Sequence, residues 1–169
     1  LILGAVGLTV WAVRRAMKVL GDNFVLGRNI REALARSELL ARQGYRFSYD
    51  MLGEGARTAK DADRYFARYL EALEAVGSAA GPSPQNHADA LMSRPSLSVK
   101  LSAIHPRFEP GKAEQVSAEA GPRLLELARL AKAWNIGLTI DAEEQDRLDL
   151  TLAQFAKCFL DPALSGWNG

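Results

Sequence analysis

The sequence predicts an α/β fold, an incomplete (β/α)8 TIM barrel in which about three βα units follow two leading helices. Three observations carry that prediction. The hydrophobic period alternates between strand and helix from about residue 45 onward, the strands have one apolar and one polar face, and the 169 residues fall well short of the roughly 250 of a complete barrel.

The composition suits one domain or part of one. Apolar residues make up 48% and charged residues 24%, and 21 Lys+Arg against 20 Asp+Glu leave a formal charge of +1. That is an ordinary globular balance. With no basic run, the segment lacks the electrostatic footprint of a nucleic-acid binder. Cys158, His87 and His105 are too few for a disulfide framework or a Cys/His zinc site, so a reducing compartment is the default. The chain opens on Leu1 and closes on Ser165-Gly166-Trp167-Asn168-Gly169, which reads as a piece of something longer.

Taken in order, the elements divide into leading helices over 1–44 and a barrel portion over 45–169. Leu1 to Val13 is apolar and ends in Arg14 and Arg15. It is too short for a spanning helix and lacks the charge and cleavage pattern of a secretory signal, so it reads first as a packing helix, with membrane-surface contact or a truncated span as the alternatives. Asn29 and Glu32 form an N-x-x-E capping box for a second helix, Ile30, Ala33, Leu34 and Leu40 give its apolar stripe, and Gly44 stands at the C′ position.

Arg46 to Leu52 alternates polar and apolar and predicts the first strand. Thr58 to Val76 returns to helical spacing, with Thr58 and Asp61 as cap residues and Tyr65, Tyr69, Leu73 and Val76 along one side. Gly77 to Pro95, rich in Gly, Ala, Ser and Pro, reads as a variable surface insertion. Leu97 to Ser102 predicts the second strand, Glu114 to Asn135 a helix, Ile136 to Asp141 the third strand, and Asp146 to Leu160 a last helix that stops before Asp161-Pro162.

Alternation assigns the faces. Phe47, Tyr49, Met51, Leu97, Val99, Leu101, Leu138 and Ile140 point to the helices, and Arg46, Ser48, Asp50, Ser98, Lys100, Ser102, Thr139 and Asp141 point away. Strands of an open doubly wound sheet are apolar on both faces, so a polar face repeated on three strands favours a barrel with a ligand-holding mouth. Asp50, Lys100 and Asp141 fall at the carboxyl ends of strands, where such barrels place their reactive groups. They read either as reactive groups or as a structural ion-pair layer closing one end of the barrel. Asp141, Glu143 and Glu144 together could ligate a hard cation, or simply favour a helix N-terminus. His105 could serve as a base but reads more simply as a surface or capping residue, Cys158 reads as a small buried hydrophobe, and Trp134 and Trp167 as core or interface anchors. No Gly-x-Gly-x-x-Gly, Walker, Gly-x-Ser-x-Gly or His-Glu-x-x-His pattern is present.

The blocks RFSYDMLGEGARTAKDADRYF (46–66), LSVKLSAIHPRFE (97–109), NIGLTIDAEEQDRLDLTL (135–152) and LSGWNG (164–169), with the lead-in LGDNFVLGRNIREALARSELLARQGY (20–45), resemble the proline dehydrogenase domain of bifunctional PutA-type enzymes. That resemblance implies an FAD-bearing barrel that oxidises L-proline to Δ1-pyrroline-5-carboxylate and passes electrons to a membrane quinone. In the bifunctional members a separate NAD-dependent aldehyde dehydrogenase domain carries the product to glutamate. It also implies a cytoplasmic protein with peripheral contact to the inner membrane, and allows a dimer.

By the same resemblance, Lys100 contacts the substrate carboxylate, Asp141 stands beside flavin and substrate, and Ala142 lies against FAD through its backbone. Glu54 is similar to the carboxylate that pairs with a substrate-binding arginine, and Asp50 shares its block. Phe47 and Gly55 depart mildly from the family's Tyr and Ala. The later strands, most flavin-cradling loops, a site tyrosine and an arginine pair lie beyond Gly169. Read from residues alone, two alternatives stand beside this: a Schiff-base aldolase-type barrel with Lys100 as nucleophile, and an inactive structural fragment.

Overall fold

The computed structural model describes residues 9–17, 19, 21, 25–52, 55–82 and 91–169. They gather into two compact units, Leu1–Tyr45 and Arg46–Gly169.

In the first unit residues 9–17 are helical. The apolar side chains Val10, Trp11, Val13 and Met17 are exposed, and residues 1–8, most of the segment read as a packing helix, lie outside the described residues. Helix α1 (Ile30–Arg42) starts where Asn29 accepts a hydrogen bond from the Glu32 N–H at 3.0 Å. The reciprocal half of the expected capping box is absent, because the Glu32 carboxylate turns back one residue further and accepts from the Arg28 N–H at 3.1 Å. At the other end Gly44, with φ 97°, donates to Ala41, and Tyr45 donates to Leu40. These are the two bonds of a Schellman motif, which needs a left-handed residue at C′.

The second unit is a three-stranded parallel sheet in the order β1-β2-β3, built from β1 (Ser48–Asp50), β2 (Ser96–Val99) and β3 (Gly137–Ile140). Helix α2 (Ala59–Ala80) links the first two strands, and the one-turn α3 (Leu101–Ile104) with α4 (Ala113–Trp134) links the second pair. Helix α5 (Leu148–Phe159) follows β3, and Leu138 on β3 donates to the Gly169 carbonyl at 2.8 Å. Tyr49, Leu97 and Leu138 lie in register, as do Asp50, Ser98 and Thr139, so the two faces read by alternation are the faces observed along these strands. Tyr69, Leu73 and Val76 of α2, Leu97 and Val99 of β2, and Leu124, Leu127 and Ala131 of α4 are almost fully buried and make the core.

Helix α2 opens with a complete capping box, Thr58 and Asp61 each satisfying the other's backbone N–H. It runs on to Ala80, into the first four residues of the stretch read as an insertion. Gly77 is the reason: it is buried inside the helix, and a Cβ there would stand 2.2 Å from the Trp134 ring. What reads as loop chemistry is a packing notch, and residues 83–90, with His87, lie outside the described residues.

The second strand is shorter than expected. It ends at Val99, and Leu101 and Ser102 belong to the α3 turn instead of alternating. The ladder stops because β3 stops at Ile140, and the Ser102 N–H finds a side-chain acceptor, Glu143, at 3.2 Å. The first strand is likewise only Ser48–Asp50, with Leu52 exposed.

Candidate active site

At the carboxyl edge of the sheet the three strand ends bring Asp50, Lys100 and Asp141 together. The Lys100 ammonium lies 2.7 Å from Asp50 Oδ1 and 2.9 Å from Asp141 Oδ2. The Lys100 side chain is 14% exposed, against 39% for Asp50 and 30% for Asp141, so the cation is the deepest of the three. Among the described residues two carboxylates close around this ammonium, an arrangement that suits a reactive cluster as well as a structural layer.

Lys100 and Asp141 are each fixed from behind. The Lys100 backbone N–H donates to the Tyr69 hydroxyl at 3.1 Å, from a side chain wholly buried in α2. Ser98, buried on the polar face of the central strand, donates its hydroxyl to the second oxygen of Asp141. The Asp141 N–H donates to Val99 O at 3.0 Å, the last rung between β2 and β3. Buried hydroxyls of this kind must find partners, and here those partners are the Lys100 backbone N–H for Tyr69 and the Asp141 carboxylate for Ser98.

Of the residues singled out from sequence, Lys100, Asp141 and Asp50 converge. Ala142 is exposed beside Asp141 at the start of the following loop. Glu54 lies outside the described residues. The acidic trio does not converge: Asp141 holds Lys100, Glu143 holds Ser102, and Glu144 pairs with Arg147 at 3.0 Å. Among the described residues no three acidic, His or Cys side chains are placed to share a metal.

His105 is 2% exposed rather than a surface residue. Its Nδ1 accepts from the Arg107 N–H at 3.1 Å, which assigns the proton to Nε2. Nε2 lies 3.2 Å from Glu119 Oε2 but without hydrogen-bond geometry. Cys158 is half-buried rather than buried, and desolvation with the nearby Asp161 charge pushes its thiol up to about 11. Trp134 anchors as expected, donating to Glu74 at 3.0 Å while its ring covers Gly77.

Tyr69, Ser98 and Ser102 carry supporting roles that sequence reading left unassigned. Tyr69 sits in an apolar stripe, and its one available signal is that a fully buried tyrosine needs a hydroxyl partner.

Residues 33–169 match the family model described as proline dehydrogenase. The chain belongs to the proline dehydrogenase family. It is 43% identical over 157 residues to the bifunctional protein PutA of Escherichia coli, a match that covers 93% of this chain and 11% of that protein. Among solved structures, proline utilization A of Bradyrhizobium japonicum superposes with a TM-score of 0.74 at 52% identity, covering 94% of this chain and 15% of that one. The counterpart from Bdellovibrio bacteriovorus superposes with a TM-score of 0.83 at 23% identity, covering 92% and 17%, which is a likeness of fold. The chain therefore spans about an eighth of the length of these proline dehydrogenase relatives. In this chain the fold brings the blocks around Asp50, Lys100 and Asp141 into contact.

Proposed function

We propose that this chain is the first part of the (β/α)8 barrel of a PutA-type proline dehydrogenase, residues 45–169 supplying three βα units and residues 1–44 the helices leading into it. In this reading the full-length protein oxidises L-proline to Δ1-pyrroline-5-carboxylate. The observation that carries it is the Lys100 ammonium at the carboxyl edge of three parallel strands, flanked by Asp50 and Asp141. Proline offers a carboxylate for Lys100 and a ring nitrogen for Asp141. A substrate carboxylate reaching Lys100 competes with Asp50, the more exposed of the two aspartates. Ser98 and Tyr69 keep cation and anion in place during that exchange, so the groups need little reorganisation when substrate arrives.

FAD, when bound, supplies acceptance of the hydride from carbon. The residues present fit the ring portion of such a group: an acceptor carboxylate at Asp141, an exposed backbone at Ala142 and the exposed Thr139 hydroxyl stand side by side. Glu54 completes the set as the partner of a substrate-binding arginine. Delivery of electrons to a membrane quinone through peripheral contact, a cytoplasmic setting, a dimer, and an NAD-dependent aldehyde dehydrogenase domain elsewhere in the protein belong to the same reading. No helix among the described residues is long and apolar enough to cross a membrane.

A Schiff-base reading fits the geometry less well. That chemistry needs the lone pair of a neutral amine, and an ion pair with two carboxylates needs the ammonium.

The test is Lys100→Met in the full coding sequence, assayed with proline and a dye acceptor alongside flavin content. Loss of a charged partner for the substrate carboxylate is expected to lower kcat/KM on the order of 100-fold, mostly through KM, at parental flavin content. Parental kinetics for the variant, or borohydride trapping of a carbonyl substrate on Lys100, would sink the assignment.

A further inference from the structure

We propose that Ser102 and Glu143 are a positioning pair that ties the three strand-end loops into one unit and thereby holds Lys100 at its working distance from Asp141; this rests on the function proposed above. Ser102 stands two residues beyond Lys100, and Glu143 two residues beyond Asp141. Lys100 with Asp141, and Ser102 with Glu143, are therefore successive ties between the same two segments of chain.

The second tie is bidentate. The Ser102 N–H donates to Glu143 Oε2 at 3.2 Å and the Ser102 hydroxyl to Glu143 Oε1. Both carboxylate oxygens are engaged by a residue only 9% exposed, which leaves the pair a poor candidate for contact with substrate. The carbonyl of the same serine accepts from the Ala56 N–H at 2.9 Å, and Ala56 is itself buried in the loop after β1. One residue thus joins the loops after β1, β2 and β3.

The physical consequence concerns the exposed side of the sheet. The ladder between β2 and β3 ends at the Asp141 N–H, so nothing in the sheet fixes the chain beyond that point. Beyond the Asp141 backbone rung, the segment carrying Asp141 and Ala142 is tied to its neighbours by the Asp141 side chain and by the Ser102 clasp, and the Asp141 side-chain contacts are the ones a substrate must disturb. Charge-assisted hydrogen bonds to a carboxylate have short, directional geometry, so the Glu143 clasp sets position as well as adding stability.

The test uses the full-length, flavin-loaded protein and the variants Ser102→Ala, Ser102→Thr, Glu143→Ala and Glu143→Gln. The readouts are kcat and KM for proline, flavin stoichiometry, and the dissociation constant of cyclopentanecarboxylate, a ring acid that reports on Lys100 without undergoing oxidation. Ser102→Ala and Glu143→Ala are expected to lower kcat/KM by roughly 10- to 100-fold, as small misplacements of reacting groups do, and to weaken the ring acid in parallel at parental flavin stoichiometry. Ser102→Thr, which keeps the hydroxyl, is expected to restore both to near the parent, and Glu143→Gln, which keeps the shape and loses one acceptor, to fall between.

Parental kcat/KM and ring-acid affinity in Ser102→Ala and Glu143→Ala would overturn the proposal, as would losses that only track lost flavin. Lys100→Met is run beside them. If it abolishes ring-acid binding while the Ser102 and Glu143 variants do nothing, the positioning role fails alone. If it too is without effect, the underlying functional reading fails.

Discussion

Arg94 holds two helices by their carboxyl ends. Its guanidinium donates to the carbonyls of Asn135 at 2.8 Å, Gly81 at 2.7 Å and Trp134 at 3.0 Å, and to Ala80 and Pro82 at 3.3 Å each. The last carbonyls of a helix lack partners and carry its negative dipole end, so one planar cation serves α2 and α4 together. Arg94→Ala is expected to destabilise the fold by about 2–4 kcal/mol, and Arg94→Lys by less, read as denaturant midpoints by circular dichroism. A variant within about 0.5 kcal/mol of the parent would show those bonds to be incidental. None of this is visible in the string GSAAGPSPQNHADALMSRP, where an arginine before proline reads as loop surface. Lys100 and Asp141 were legible because strand parity and strand-end position are local. Tyr69 and Ser98 were not, because a hydroxyl's partner comes from a different segment of chain.

Helix starts could be read from the sequence because capping is decided within four residues, and α2 shows it most fully. The hydrogen bond from the Thr58 side chain, followed by the charge of Arg64, holds the Asp61 carboxyl below its ordinary 3.8. A carboxyl depressed in the folded state contributes stability above its unfolded value, and that contribution disappears as pH falls through the lower folded value. Asp61→Asn is therefore expected to be less stable than the parent at pH 6, with the gap closing as pH drops below about 3.8. Thermal melts at pH 6, 4 and 2.5 check this, and a constant gap would contradict it. Strand ends were read less well than helix starts. The second strand was expected through Ser102, but a strand lasts only as long as its neighbours supply rungs, and β3 ends at Ile140. Gly77 misled in the same way, since only the Trp134 ring from α4 explains a glycine inside α2.

At the scale of the whole chain, α5 carries two faces. Leu150, Thr151 and Gln154 are buried, while Leu148, Leu152, Phe155 and Phe159, spaced four, three and four apart, line an exposed stripe with two stacked rings. Contiguous apolar patches of this kind bind other surfaces. Residues 1–169 expressed alone are expected to bind a hydrophobic dye, to self-associate at micromolar concentration, and to show no turnover with added FAD and proline. Leu152→Glu with Phe159→Glu is expected to remove the dye signal. A monodisperse, dye-free monomer by light scattering, or bleaching of flavin by proline at an ordinary enzyme rate, would contradict the reading of this segment as part of a larger barrel.

The order of elements, the two sheet faces and the candidate trio at the strand ends all follow from patterns within single strands or helix turns, where side-chain direction is set by backbone period. The tertiary fold alone decided the rest: that Lys100 lies between two aspartates, that Ser102 joins three loops, that His105 is buried, and that Arg94 closes two helices. Each of these is a contact between residues distant in sequence, and no local period encodes which segments meet.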